Sequence, residues 1–161
     1  MRNIKTICTL GVLTALYVVL SAFCKVNLIG NIMLDFGYVA FAIALCLYGP
    51  IGAVVGVVGC ALESILFSAY GFSISWAVAN AIIGIGFGFT CKYTKFTGAR
   101  IAFMLASTFV GLMFAKTGIE CLLYSIPLAV KIPKNAVAWV ADSAMMVFGI
   151  LLAPKLKIKM R

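Results

Sequence analysis

Six runs of about 20 apolar residues, parted by short basic or glycine- and proline-bearing segments, leave this chain one solvent to fold in. That solvent is the lipid bilayer. The runs are 6–24, 32–48, 51–70, 72–91, 101–124 and 135–153. Gly49-Pro50 separates the second from the third, and the basic stretch from Lys92 to Arg100 ends the fourth. The fifth stays largely apolar to Val130, too far for one upright span, so helix is expected to about Tyr124, followed by a loop through Pro127 and Pro133. Pro154 and a lysine-rich tail close the sixth. The expected fold is an all-α membrane protein of six transmembrane helices in one integral membrane domain, residues 1–161.

Composition agrees. Hydrophobic residues make up 65% and charged residues 11%, with a mean hydropathy of +1.18. A soluble domain is about half apolar and a quarter charged, so a disordered chain, a disulfide scaffold and a soluble enzyme are all excluded. The chain has no histidine, which removes the commonest metal ligand and the commonest general base. Its six cysteines (Cys8, Cys24, Cys46, Cys60, Cys91, Cys121) show no CxxC spacing and read as small buried hydrophobes. The first run is longer than a signal-peptide core of roughly 7–15 residues and lacks a small-x-small cleavage site, so it is expected to stay as a helix.

Six spans put both termini on one side. The terminus-side segments carry nine of the Lys and Arg residues (Arg2, Lys5, Lys92, Lys95, Arg100, Lys155, Lys157, Lys159 and Arg161), and the opposite loops carry only Lys25, Lys131 and Lys134. By the positive-inside rule both termini are expected in the cytoplasm. The net charge of +9 is then an orientation signal and a contact for anionic lipid, not a nucleic-acid surface.

The chain has four acidic residues, Asp35, Glu63, Glu120 and Asp142, and none falls in a terminus-side segment. An ionisable group inside a span is costly and is by default a candidate site. Counted along the helices, these four share the outer half of the membrane with Trp76, Asn80, Lys116 and Trp139, which suggests an outward-facing cavity where a ligand could be bound. Plainer readings stand beside this. Lys116 and Glu120, spaced i,i+4, could neutralise one another. Asp35 and Trp76 could lie at the membrane interface. Asn80 could be an ordinary interhelical hydrogen bond. Neither Glu63 nor Asp142 has an opposite charge within a turn of its own helix.

Small residues form stripes that let helices approach closely. Gly52, Gly56, Cys60, Ser64 and Ser68 mark the third run, and Gly84 and Gly88 the fourth; internal packing is expected there. Gly11 and Ala15 mark the first, where the stripe could face a partner instead. The chain has no phosphate loop, and its Gly84-Ile85-Gly86-Phe87-Gly88 run lies in mid-membrane, where it is no dinucleotide fingerprint. It also lacks any HExxH, GxSxG or Cys-His constellation, so no hydrolytic machinery is visible.

The layout, with Leu13-Thr14-Ala15-Leu16-Tyr17-Val18-Val19-Leu20-Ser21 in the first helix and Tyr48-Gly49-Pro50-Ile51-Gly52-Ala53-Val54-Val55-Gly56 leading to Glu63, resembles the substrate-binding S component of energy-coupling factor (ECF) vitamin transporters. In that family an acidic residue often ends the glycine-spaced third helix, and Glu63 falls one residue later than its usual place. The family's small-residue stripe for docking on the coupling subunit falls here on Gly11 and Ala15. The resemblance implies high-affinity binding of a vitamin or related micronutrient from outside, in a pocket partly covered by the loop from Lys25 to Asn31. It further implies uptake by toppling in the membrane, driven by a transmembrane coupling (T) subunit and two cytoplasmic ATPase subunits, in a multi-pass protein of the bacterial plasma membrane. Substrate-binding residues are expected among Glu63, Asp142, Asn80, Glu120, Lys116, Trp76, Trp139 and Asp35. No enzyme activity, cofactor or metal is expected, and the missing histidine argues against nickel and cobalt.

The ligand is not legible. An excess of carboxylates over bases hints at a cationic ligand such as a thiamin-like compound or a queuosine precursor, whereas the first three helices look more like members associated with folate or riboflavin. The alternative is a self-contained ion-coupled secondary transporter in which Glu63, Glu120 or Asp142 carries protons, although residues 1–80 and 81–161 show no internal repeat. A membrane-embedded enzyme using paired carboxylates is a third and weaker possibility.

Overall fold

A computed structural model of the chain describes residues 2–24, 26–29, 32–67 and 72–159. Helix α1 (Arg2–Phe23) is followed by strands β1 (Val26–Ile29) and β2 (Ile32–Leu34), then by α2 (Gly37–Tyr48), a 3₁₀ turn (Gly49–Gly52) and α3 (Ala53–Phe67). Helix α4 (Ile74–Tyr93) leads to α5 (Thr97–Phe109), which continues through a π-helical segment (Val110–Lys116) into α6 (Thr117–Tyr124). Helix α7 (Leu128–Lys159) ends the described chain.

Helix α2 is the centre. Its sequence is apolar all round, and every residue from Gly37 to Leu45 is buried. It packs on α1, α4 and α7. At Gly49 the backbone takes φ +65°, a conformation glycine adopts without steric cost, and the chain folds back. Helix α3 then runs beside α2 and α1 through its small face. A Cβ on Gly56 would stand 2.5 Å from the Phe41 ring, and one on Gly59 would stand 2.6 Å from Tyr17. Gly84 and Gly88 of α4 meet Ala53 and Pro50 as closely, so the α3 and α4 stripes pack internally as expected; Ser68 lies outside the described residues. Helix α1 turns Leu10, Leu13, Tyr17 and Ser21 inward and leaves Gly11, Val12, Ala15 and Val19 exposed.

Several boundaries differ from expectation. Among the described residues five stretches, not six, are long and apolar enough to cross a membrane, Gly37–Phe67 forming one where two were expected. Residues 32–34, expected to begin the second span, pair antiparallel with β1, Val26 opposite Leu34. The interhelical loop is therefore partly a β-hairpin; Lys25, Gly30 and Asn31 lie outside the described residues. Helix α5 begins at Thr97 rather than 101, and helix continues to Tyr124, where Ser125 adopts φ 51°.

The loop expected through Pro133 is instead helix, and only Ser125–Pro127 separate α6 from α7. Pro127 caps α7 by accepting from Val130 and Lys131. Pro133 lies in the second turn, where proline removes a single backbone hydrogen bond. Side-chain ties from Lys131 and Asn135 to the preceding helix hold that turn in place. Pro154, expected to close the last helix, also lies within it.

Candidate functional site

The end of α1, both strands, the start of α2, the end of α3, the start of α4, α6 and the start of α7 gather at one end of the bundle. The Phe23 and Phe67 rings meet edge to face at 5.7 Å, joining α1 to α3. Ser21 donates to Asp35 at 2.7 Å, and β2 lies against α7. Ser75 of α4 donates to Glu120 at 3.4 Å, and Glu120 pairs with Lys131 of α7 at 2.9 Å.

Lys116 is the hub at this end, and it is buried. Its ammonium stands 4.1 Å from the centroid of the Trp76 ring, donates to Asn135 Oδ1, and lies 3.4 Å from Glu120 Oε1. A cation on an aromatic face away from water contributes about 2 kcal/mol. Asn135 in turn donates to Thr117 Oγ1 at 2.8 Å, and Thr117 donates to the Leu112 carbonyl five residues back, at 3.0 Å. That bond spans the π-helical register; such segments recur at functional sites. Glu120 Oε2 lies 2.9 Å from the Lys131 ammonium, so the carboxylate lies between two lysines.

The other expected residues have different surroundings. Asp35 Oδ1 accepts from Gly37 N at 2.8 Å and from Ser21, which makes it a cap of α2 tied to α1. Asn80 is completely buried; its Oδ1 accepts from Tyr38 at 3.0 Å and its Nδ2 donates to the Gly56 carbonyl at 3.2 Å, linking α2, α3 and α4. Trp139 turns toward α5, with Nε1 donating to Thr108 Oγ1 at 3.1 Å and to the Leu105 carbonyl at 3.2 Å, and its ring against Phe109. Asp142 is buried on α7, and Glu63 is half-buried on α3.

The structure thus brings Trp76, Lys116 and Glu120 together and gives Asp35, Asn80 and Trp139 bonds that hold helices. It adds Ser75, Thr117, Lys131 and Asn135, which the sequence reading passed over. Lys131, Asn135, Trp139 and Ser143 lie four residues apart, a polar stripe on α7 that periodicity could have found. Nothing local marks Ser75 or Thr117. With Asp35 engaged in a cap and Glu120 in two ion pairs, the acid excess no longer argues for a cationic ligand. Among the described residues no three metal-ligating side chains converge. The cluster offers an aromatic surface, a fixed cation and hydrogen-bonding groups, the equipment of recognition.

The sequence model of a family described as "ECF-type riboflavin transporter, S component" matches residues 1–115. A UPF0397 protein of Clostridium perfringens (strain ATCC 13124) is 34% identical over 95 residues, 58% of this chain and 51% of that protein. One from Enterococcus faecalis is 34% identical over 90 residues, 54% and 48% of the two chains. The chain spans about half the length of the curated relatives it matches. Among solved structures, the S component for biotin from an ECF-type ABC transporter superposes with a TM-score of 0.71 at 14% identity, covering 97% of this chain and 92% of that one. FolT bound with folic acid superposes with a TM-score of 0.70 at 19% identity, covering 89% and 88%. At these identities the likeness is one of fold.

Proposed function

This chain belongs to the family of ECF-type riboflavin transporter S components, and on that premise we propose that it captures a vitamin at the hairpin end of the bundle and passes it through the membrane with a coupling subunit and two ATPase subunits. It is a multi-pass membrane protein of a transporter family, not an enzyme. The observation that carries the reading is the segregation of polar groups. The buried Lys116, Glu120 and Asn135, with Trp76, collect at the end of the bundle that holds the hairpin, whereas the opposite end carries Lys5, Lys92, Lys95, Arg100 and Lys155.

We count the folded-back stretch Gly37–Phe67 as two spans, which makes six and puts both ends of the chain on one side. The cations at that end support the cytoplasmic side of a bacterial plasma membrane. The hairpin end then faces outward, with the β-hairpin beside the cluster as a cover. Lys116 and Trp76 would contact the ligand, with Glu120 and Asn135 holding Lys116 in place. Glu63 and Asp142 complete the polar lining. The exposed stripe of Gly11 and Ala15 on α1 supports docking on the coupling subunit, because small residues let a partner helix approach closely.

The family's name makes riboflavin the first ligand to test. Small molecules released from the detergent-purified chain are identified by mass spectrometry, and the purified chain is then titrated with riboflavin, biotin and folate. A released vitamin, bound at least tenfold more weakly by Lys116→Ala and by Trp76→Ala, is the expected outcome. No binding of any vitamin, together with pH-dependent flux in liposomes holding this chain alone, would replace the proposal with an ion-coupled secondary transporter.

A further inference from the structure

Cys46, near the C-terminal end of α2, and Cys91, near that of α4, bring their sulfurs to 3.6 Å at the end of the bundle opposite the hairpin. Backbone packing builds this contact. Gly88, three residues before Cys91, lies against Gly49 and Pro50, and a Cβ there would stand 2.7 Å from Pro50 Cα. The end of α2 and the end of α4 are therefore held at one separation by atoms that cannot give way. Both thiols are reduced; Cys46 is half-buried and Cys91 buried. Arg100 donates to the Cys91 carbonyl at 3.2 Å and to the Thr94 carbonyl at 2.7 Å, which fixes a cation on the residue that carries the second sulfur. With no three metal-ligating side chains together among the described residues, the pair is not a four-ligand zinc site.

We propose that Cys46 and Cys91 are a peroxide-sensitive dithiol whose oxidation ties α2 to α4 by a disulfide. The more accessible Cys46 reacts first. Its thiolate attacks one oxygen of the peroxide, the O–O bond breaks, and the departing hydroxide takes up a proton to leave as water. Cys46 is left as a sulfenic acid. The Cys91 sulfur then attacks that sulfur, the S–O bond breaks, and a second water leaves with the Cys91 proton. Two thiols have lost two electrons and two protons, and one peroxide has become two waters. The sulfurs must close by about 1.5 Å to reach bonding distance. Cys60 faces Ser64, and Cys8 and Cys24 are exposed on α1 and just beyond its end.

The test counts thiols in the full-length chain in detergent. The protein is treated with hydrogen peroxide, quenched, denatured and alkylated, then read by intact mass and peptide mapping. The reduced chain takes six alkyl groups, one for each cysteine. After peroxide the expected result is loss of two of the six, mapped to a bond between Cys46 and Cys91 within one chain and restored by a reductant. Cys46→Ser should then lose no pair, and Cys121→Ser should still form the bond, which separates loss of the partner from loss of the fold. Six alkylated thiols after peroxide, a bond between any other two cysteines, or a lost pair that persists in Cys46→Ser would each overturn the proposal.

Discussion

Asn135 holds Lys116 in place: the lysine ammonium donates to the asparagine Oδ1, while the asparagine Nδ2 donates 2.8 Å to Thr117 on the helix that carries the lysine. One amide thus clamps α7 to the junction of the π-helical segment and α6, and aims a buried cation at the Trp76 ring.

Asn135→Leu keeps a similar volume but removes both bonds. A buried donor left without its acceptor costs about 1–3 kcal/mol, so the thermal midpoint in detergent should fall. Ligand affinity should fall at least tenfold, as Lys116 loses its position, whereas Asn135→Asp should retain most of the binding.

Glu120→Gln should destabilise the chain more than Lys131→Ala does. The glutamine leaves two lysines without their counter-ion, Lys116 being the more deeply buried. Breaking a buried pair by removing one partner costs about 3–5 kcal/mol. Lys131 is the more exposed partner, and its loss leaves Glu120 still paired with Lys116. Denaturation of the two variants side by side checks the order, and equal midpoints would contradict it.

Gly56→Ala puts a methyl where the Phe41 ring stands, 2.5 Å away. Overpacking of this kind costs about 1–3 kcal/mol. The double variant with Phe41→Leu should recover part of that loss, because the narrower side chain frees the space. Thermal unfolding of the single and double variants reads the coupling.

Gly11→Leu and Ala15→Leu are expected to behave in the opposite way. Nothing lies within 4 Å of where a Gly11 side chain would begin, and Ala15 is exposed on the same face. The thermal midpoint should be unchanged and ligand affinity should stay within twofold of the parent, while uptake in cells carrying the coupling and ATPase subunits falls at least tenfold. Loss of ligand binding in the purified variants would show that this face is not a docking surface.

Some of this was legible in residues alone, because a bilayer constrains sequence so strongly. Uninterrupted apolar runs, the Gly49-Pro50 break and the one-sided distribution of lysine and arginine are each forced by the cost of polar groups in hydrocarbon, and each can be read without knowing any contact. Gly56, which receives Phe41, was likewise visible in a stripe, because close helix approach needs small residues at a fixed period, whereas Gly59, which receives Tyr17, lies outside that stripe. Pro133 was misread for the converse reason: its effect depends on how many backbone bonds it removes and on the ties of Lys131 and Asn135 across to Glu120 and Lys116. The role of each polar residue was a tertiary matter as well. Asp35, Asn80 and Lys116 look alike in a list of polar residues within apolar runs. Only the packed helices make the first a cap, the second a bolt between three helices and the third a cation over Trp76, because a polar group in a bilayer is defined by the partner that satisfies it.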